Sequence, residues 1–527
     1  MSKTTFGVSA IGALALVCGA SMGQPRVMYS NIQTDLTSLI PGTGGLHFKS
    51  AASGGIFSEP AASRNGQIWC FVAKIDAVAT SADEVFIVGA GGSGTAVLQE
   101  GSALATPGAL AGENLGIFRG YGINDSGLWA IANNTSAATT QDEIIIRGGD
   151  FDGIRVALRE GDPHPAYPGE TIGALLDAVA VLQDGTLCYW NSAVSGTTGT
   201  TAKQGWFKGI VALTKADDAA LQPTGQQFAP DQTWDNFSNS FRITPDGSHW
   251  SGLGDLNGAT ANDNVAVFDN VVLLQEGGQL PGVTGGSPIQ GASAAQTMIR
   301  CGGRGHWMAR GTTADGIGYL IVDGVIVARE GDNVLGDAAE QYAGVGTSVN
   351  SSDPTGFRGI AMNNLGDWVV NANTNEANGG NGVVILNNAR VVVRKGATLA
   401  GVDVTLGPAK LGRIGDTNIG DDMALTDDGR LYFTGEITGG ATGGVASSGM
   451  MVLRVFCGIA DVGTLGGTAG RDNQLTADDI VVYLAAFFSG NLAVADLAAL
   501  GGVGGPDGEL TPDDLVIFLG AFFAGCP

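Results

Sequence analysis

Asn124-Asp125-Ser126-Gly127-Leu128-Trp129 and Asn363-Asn364-Leu365-Gly366-Asp367-Trp368 carry one message at two distant places: a turn closing on glycine, then an aromatic residue that opens an apolar run. Asparagine and glycine tolerate the positive φ of tight hairpin turns, and a bulky ring just beyond begins a strand that needs burial. The unit recurs with decay. Its turn glycines are Gly66, Gly127, Gly185, Gly247, Gly305, Gly366 and Gly429, at intervals of 61, 58, 62, 58, 61 and 63 residues. The aromatics that follow are Trp69, Trp129, Tyr189 with Trp190, Trp250, Trp307, Trp368 and Tyr432 with Phe433. Six of the eight tryptophans therefore share one repeated location, which reads as core packing instead of sugar stacking.

Each unit continues with a β-rich run, such as Glu84-Val85-Phe86-Ile87-Val88 or Glu143-Ile144-Ile145-Ile146. A third run ends in a charged turn, as at Glu100-Gly101, Glu160-Gly161, Glu276-Gly277, Glu330-Gly331 and Lys395-Gly396. A fourth strand is expected before the next turn glycine. Four short strands per sixty residues or so, seven times over and without helical period, is the pattern of propeller blades; a β-sandwich array or an open solenoid is the alternative. A lone blade cannot bury both faces of its sheet, whereas blades stacked around an axis cover one another.

Composition sets the limits. The chain has 527 residues, 86 of them glycine, with 51 acidic against 26 basic side chains and a formal net charge of -25. No Gly-X-Y period exists, so collagen is excluded, and the 44% hydrophobic content excludes disorder over most of the length. The acidic excess repels phosphate backbones, so nucleic acid is not an expected partner. Lys3 and the apolar residues 6–20, too few to span a bilayer, read as an export signal cleaved after Gly23. No membrane span is expected in the mature chain. The expected organisation is a signal peptide over 1–23, a seven-repeat propeller-like domain over 24–456 and a duplicated module over 457–527, exported to an extracellular, cell-surface or periplasmic location.

These repeats resemble a family of exported bacterial proteins with tandem Asn-x-x-Gly-x-x-x-Phe units and interchangeable C-terminal anchors, common in planctomycetes. The second and sixth units keep the turn literally; the third, fourth, fifth and seventh lose its asparagine. The resemblance covers residues 50–456 and implies architecture without a catalytic activity.

The C-terminal module is an internal duplication. Residues 460–491 and 495–526 align without gaps at an offset of 35, with 17 of 32 positions identical. Thr476 and Thr511 read as helix N-caps with an acid three residues on, and Pro512 takes the favoured first helical position. Two short amphipathic helices are expected. Calcium takes six to eight hard oxygen ligands, supplied in an EF-hand loop by alternating residues and a closing carboxylate on the next helix. Asp472, the carbonyl of Gln474, Thr476 and Asp479 match the second half of such a loop, as do Asp507, the carbonyl of Glu509, Thr511 and Asp514. The segment from Cys457 holds nine acids against one base, Arg471, a density that repels itself unless cations neutralise it.

The module resembles a dockerin of the glycine-rich, cysteine-terminated type, related to EF-hands. The resemblance implies Asp461 and Asp496 as first ligands and a cohesin-like or cell-envelope protein as partner. Dockerins place the first ligand four residues before the fifth-position aspartate; here the spacing is eleven, because a Leu-Gly-Gly segment intervenes.

Cys457 and Cys526 bracket the duplication and are expected to pair, whereas Cys70, Cys188 and Cys301 fall in alternate repeats and read as small core residues. Catalytic signals are thin. The one Gly-x-Ser-x-Gly string lies in the signal segment, and His47, His164, His249 and His306 show no metal-ligand spacing. Residues 63–69 and 244–250 resemble sialidase Asp-box hairpins, a structural motif, with the glycine one residue early. Glu100, Glu160, Glu276 and Glu330 would be glycosidase carboxylates only if they converged. The expectation is a mainly β, seven-bladed propeller-like domain plus a small α-helical dockerin-like domain. It would act as a non-catalytic binding or scaffold protein for a carbohydrate or protein ligand. The alternative is a carbohydrate-active propeller enzyme carried by its dockerin.

Overall fold

The structure, a computed structural model, describes residues 24–526 apart from 51–54, 77–78, 150–151, 197–202, 219–232, 258, 260–261, 291–296, 344–355, 377–380, 415–422, 444–446, 473, 500–502 and 505–507. The expected signal over 1–23 lies outside the described residues. Among those described, no helix is long and apolar enough to cross a membrane.

Seven antiparallel sheets of four or five strands follow one another along the chain. Blade 2 is representative: Leu115–Ile123, Trp129–Thr135, Glu143–Gly148 and Arg155–Arg159 pair in sequence order. The first strand of each blade ends at the repeated turn, and the aromatic opens the second, as expected from the sequence. Those first strands, Ala61–Ala62, Leu115–Ile123, Leu176–Val181, Arg242–Ile243, Met298–Cys301, Phe357–Met362 and Met423–Leu425, touch in that order, and the last returns to the first. The ring is closed, and the protein is a seven-bladed β-propeller. Closure has a device the repeat did not announce. Blade 7 takes its outermost strand, Arg26–Ser30, from the N-terminal end of the described chain, paired against Ser447–Arg454. The two ends of the ring are thus hydrogen-bonded within one sheet, which removes a free edge.

The core lies between blades, not within them. Cys70, Val72, Phe86 and Leu98 of blade 1 pack on Phe118, Trp129, Ile131 and Ile144 of blade 2. Trp69 and Phe71 meet Tyr432 and Met450 of blade 7 in the same manner. Trp69, Trp129, Trp190, Trp250 and Trp368 are buried, as core packing requires. Trp307 is partly exposed.

The turns form a second ring at one end of the axis. Asn124 Oδ1 accepts the N–H groups of Ser126 and Leu128, and its Nδ2 donates to Leu182 O in the next blade's turn at 2.8 Å. Asn363 repeats this, with Nδ2 donating to Thr426 O at 3.3 Å. Where Thr244 or Thr426 replaces asparagine, its hydroxyl donates to Asp246 or Asp428 of its own turn. The fifth unit has Gly302-Gly303 for a steric reason: a Cβ at Gly303 would fall 2.2 Å from Asn364 O of the next turn.

Candidate functional site

Residues 457–526 sit on the turn-bearing end, against blades 5 and 6. Arg304, in the fifth turn, donates to Ala493 O and Asp496 O; Arg390, in blade 6, donates to Asp472 O at 3.2 Å. Arg471, the segment's single base, reciprocates with Nε 2.8 Å from the Asp367 carboxylate in the sixth turn. Its guanidinium lies 4.4 Å from the Phe456 ring centroid. A cavity of about 190 Å³ remains between the two parts, lined by Arg304, Asp367, Asp461 and Arg471 among others.

Three short helices build the segment: α1 (Ala477–Ser489), α2 (Leu492–Ala495) and α3 (Pro512–Ala524). Capping boxes start α1 and α3, with Thr476 and Asp479 in the first and Thr511 and Asp514 in the second, and Pro512 opens α3. Tyr483 and Phe518 are equivalent positions of the two copies, and their rings stack at 3.8 Å. The two copies therefore share one small core that centres on this pair. The Cys457–Cys526 disulfide forms, linking residues 69 apart.

Of the acids chosen from the sequence, Asp461, Asp472 and Asp479 in the first copy and Asp496 and Asp514 in the second each bind backbone N–H groups of their own copy's loops. The residues between Asp461 and Asp472 fold outward as a hairpin, Gly463–Thr464 against Thr468–Ala469, with a counterpart at Ala498–Ala499 against Val503–Gly504. The chain returns so that Asp461 Oδ1 accepts the Asp472 N–H at 3.0 Å, while Oδ2 accepts that of Cys457 at 2.9 Å. Asp479 Oδ1 accepts from Val462 and Gly463, both at 2.8 Å, and Oδ2 from Thr476 at 2.7 Å. Asp472 accepts from Leu465 and Gln474. In the second copy Asp496 accepts from Gly508 at 2.8 Å, and Asp514 from Leu497, Ala498 and Thr511 at 2.6 to 2.7 Å. Asp507 lies outside the described residues, and Glu509 is exposed.

Each of these carboxylates thus satisfies backbone donors at the starts of loops and helices, which is a structural role. Among the described residues no group of three or more His, Cys, Asp or Glu side chains is placed to hold a metal ion. In kind, the donors fit a hard cation: carboxylates, a threonine hydroxyl and main-chain carbonyls, with a second lone pair on each carboxylate oxygen.

The other candidates of the sequence fall apart in space. Glu100 accepts the Asp83 N–H at 3.1 Å, Glu276 accepts from Asn264 Nδ2 at 3.0 Å, and Glu330 accepts from Gly356 N. Burial first, and then its hydrogen bond to the Asp142 carboxylate, pushes the Glu160 carboxyl up to about 7. Glu100, Glu160 and Glu276 serve their own blades, and Glu330 holds Gly356, whose carbonyl accepts from Asn373 of blade 6. His249 and His306 hold the aspartates of the neighbouring hairpin turn, Asp269 at 2.6 Å and Asp323 at 2.7 Å, and these accept the N–H of Trp250 and Trp307. Cys70 and Cys188 are buried thiols that burial pushes up, and they lie in separate blades from Cys301.

Sequence reasoning missed the axis. Counting two residues back from each turn gives Ala61, Gly122, Ala180, Arg242, Arg300, Ala361 and Ala424: five small residues and two arginines. That register is the signal that could have found them.

No family model and no curated protein matches the sequence. Among solved structures the chain is similar to the WD40 propeller domain of Doa1, with 11% identity, coverage of 77% of this chain and 94% of that one, and a TM-score of 0.32. The propeller domain of the trilobed protease from Pyrococcus furiosus gives 7%, 76%, 96% and 0.37. A gluconolactonase of Xanthomonas campestris, XC5397, gives 12%, 82%, 95% and 0.27.

Proposed function

We propose that the chain is an exported, non-catalytic binding or scaffold protein whose propeller takes a carbohydrate or protein ligand and whose C-terminal, dockerin-like module attaches it to a cohesin-like or cell-envelope protein. One observation carries the attachment. Val481 and Phe488 on α1 are 59% and 82% exposed, and their counterparts one repeat later on α3, Val516 and Phe523, are 64% and 78% exposed. Seven residues apart on a helix is two turns, so each pair forms one outward apolar face. Large apolar side chains held in water at equivalent positions of two copies suit a protein partner.

Calcium is the proposed cofactor of the module. Asp461, Asp472, the Gln474 carbonyl, Thr476 and Asp479 would hold one ion, and Asp496, Asp507, the Glu509 carbonyl, Thr511 and Asp514 a second. The ions would offset the repulsion of nine acids around one base. Supporting the non-catalytic reading, the four repeated glutamates each hold local partners at separate blades, Glu330 across the boundary to Gly356. The test is retention of the full chain on an isolated cell-envelope fraction, with calcium and with chelator. Retention should fall with chelator and in a Phe488→Ser/Phe523→Ser variant. Equal retention of wild type and variant overturns the attachment reading.

A further inference from the structure

The propeller axis is crossed by charge. In a ring of seven, blade 1 stands opposite the boundary between blades 4 and 5. Glu59, just before the first strand of blade 1, nonetheless touches both: Arg242 Nη2 donates to Glu59 Oε2 at 3.1 Å, and Arg300 Nη2 lies 4.0 Å from Oε1. The contact therefore spans the central channel. Each oxygen of one carboxylate faces its own guanidinium, the arrangement by which arginine pairs recognise a planar carboxylate. Both arginines are braced from behind, with Arg242 Nη1 donating to Phe241 O at 3.0 Å and Arg300 Nη1 to Ile299 O at 2.9 Å. The Glu59 and Arg242 side chains keep 33% and 30% of their surface in solvent, so water reaches the pair; Arg300 keeps only 8%.

Two features set this contact apart from an ordinary surface ion pair. In the five other blades the register of Arg242 and Arg300 holds alanine or glycine, so within that register these two alone carry long, charged side chains. And the arginines crowd one another: burial first, then Arg242, with Arg310 also contributing, lowers Arg300 to about 9, while Glu59 opposes that shift. Arg310, behind them in blade 5, is fully buried. Basic charge gathered on the axis of a chain with net charge -25 points to an acidic ligand.

We propose that Arg242 and Arg300 form a carboxylate-binding site on the propeller axis, that Glu59 occupies it as an internal stand-in, and that the propeller's ligand is a carboxylate-bearing molecule which displaces Glu59. This rests on the reading of the propeller as a binding domain and names its ligand class. The carboxylate can come from an acidic sugar or from a peptide C-terminus, and the probes separate the two.

The experiment is calorimetric titration of the full chain with glucuronate against glucose, and with N-acetyl-alanyl-alanine against its C-terminal amide. One acid should bind while its neutral counterpart does not. Arg242→Gln should weaken binding roughly tenfold or more, as expected for loss of a charge-assisted hydrogen bond. Glu59→Gln should do the opposite and tighten it, because the competing carboxylate is gone. The acid should also raise the Tm of Glu59→Gln. Should that variant not fold, the Arg242→Gln comparison decides alone. Absence of binding by both acids to wild type and to Glu59→Gln overturns the proposal, as does binding that Arg242→Gln leaves unchanged. Envelope retention of the same variants, which depends on the module, separates failure of this site from failure of the attachment reading.

Discussion

The ring and the segment that follows it bury opposite kinds of side chain. Between blades the large buried groups are aromatic and aliphatic, with Trp69, Phe71, Phe86 and Tyr432 at 0 to 1% exposure, and buried charge is paired, as in Arg159–Glu113 at 2.8 Å. From Cys457 onward the buried groups include Asp461, Asp479 and Asp514 at 0% and Asp496 at 3%. Their small apolar core centres on Tyr483 and Phe518. A segment of this size cannot bury enough apolar surface to stand on hydrophobic area alone. It relies on carboxylates that satisfy backbone donors, two at Asp461 and three each at Asp479 and Asp514, on capping boxes and on a disulfide. The ring relies on area and closure. The comparison teaches where each part is vulnerable.

The largest effect should come from the ring. Trp69→Ala removes a fully buried ring at the blade 1–blade 7 boundary and should cost about 3–5 kcal/mol in urea unfolding. Because that boundary is also where the chain ends close, the loss should appear in the major transition followed by tryptophan fluorescence. A smaller cost, near that of a surface substitution, would mean that closure does not depend on this contact. Next in size, Cys457→Ser with Cys526→Ser should destabilise the segment from 457 by about 2–4 kcal/mol in the chain-entropy picture. The major transition should stay in place, since no ring element is closed by that bond. A shift of both transitions together would show that ring and segment unfold as one unit.

Much of this contrast was legible in residues. The seven turn glycines and the aromatics behind them gave strand order, blade count and the buried face, because each turn forces a hairpin and each ring demands cover. The offset of 35 gave the paired helices and their caps. What the repeat could not show was contact between units. Arg26–Ser30 carries no repeat signature, yet it completes blade 7, since a strand edge accepts any extended segment with free N–H and C=O groups. Glu59, Arg242 and Arg300 are far apart in sequence and meet only because seven blades close a circle. The outward hairpin at 463–469 likewise reconciles Asp461 with Asp472 by a local fold that spacing alone does not reveal.

Smaller effects sharpen the view of how blades are joined. Asn124→Ala removes both the acceptor that closes its own turn and the donor to Leu182 O, so it should cost about 1–3 kcal/mol by urea titration. Thr244→Ala loses only bonds to its own turn, and its cost should be lower. Equal costs would place the value of asparagine in turn geometry and not in the bond across the boundary.

The smallest effect is electrostatic. Glu160 is raised from 4.5 to about 7 by burial and by the Asp142 carboxyl, so the folded state holds its proton more tightly than the unfolded chain does. Stability from this group is complete below pH 4.5 and is lost as pH rises through about 7, in the direction opposite to a salt-bridged acid. Since the proton is shared with Asp142, the loss between pH 5 and pH 7 should be on the order of 1 kcal/mol. Asp427, raised to about 7 by burial, adds to the same slope. Glu160→Gln keeps a neutral hydrogen-bonding group against Asp142 and should reduce the slope, read as urea midpoints at the two pH values, leaving what Asp427 and the other carboxyls raised by burial, Glu84, Glu100, Glu143 and Asp255, supply. An unchanged slope in that variant would show that the loss of stability with rising pH comes from these other carboxyls and not from Glu160.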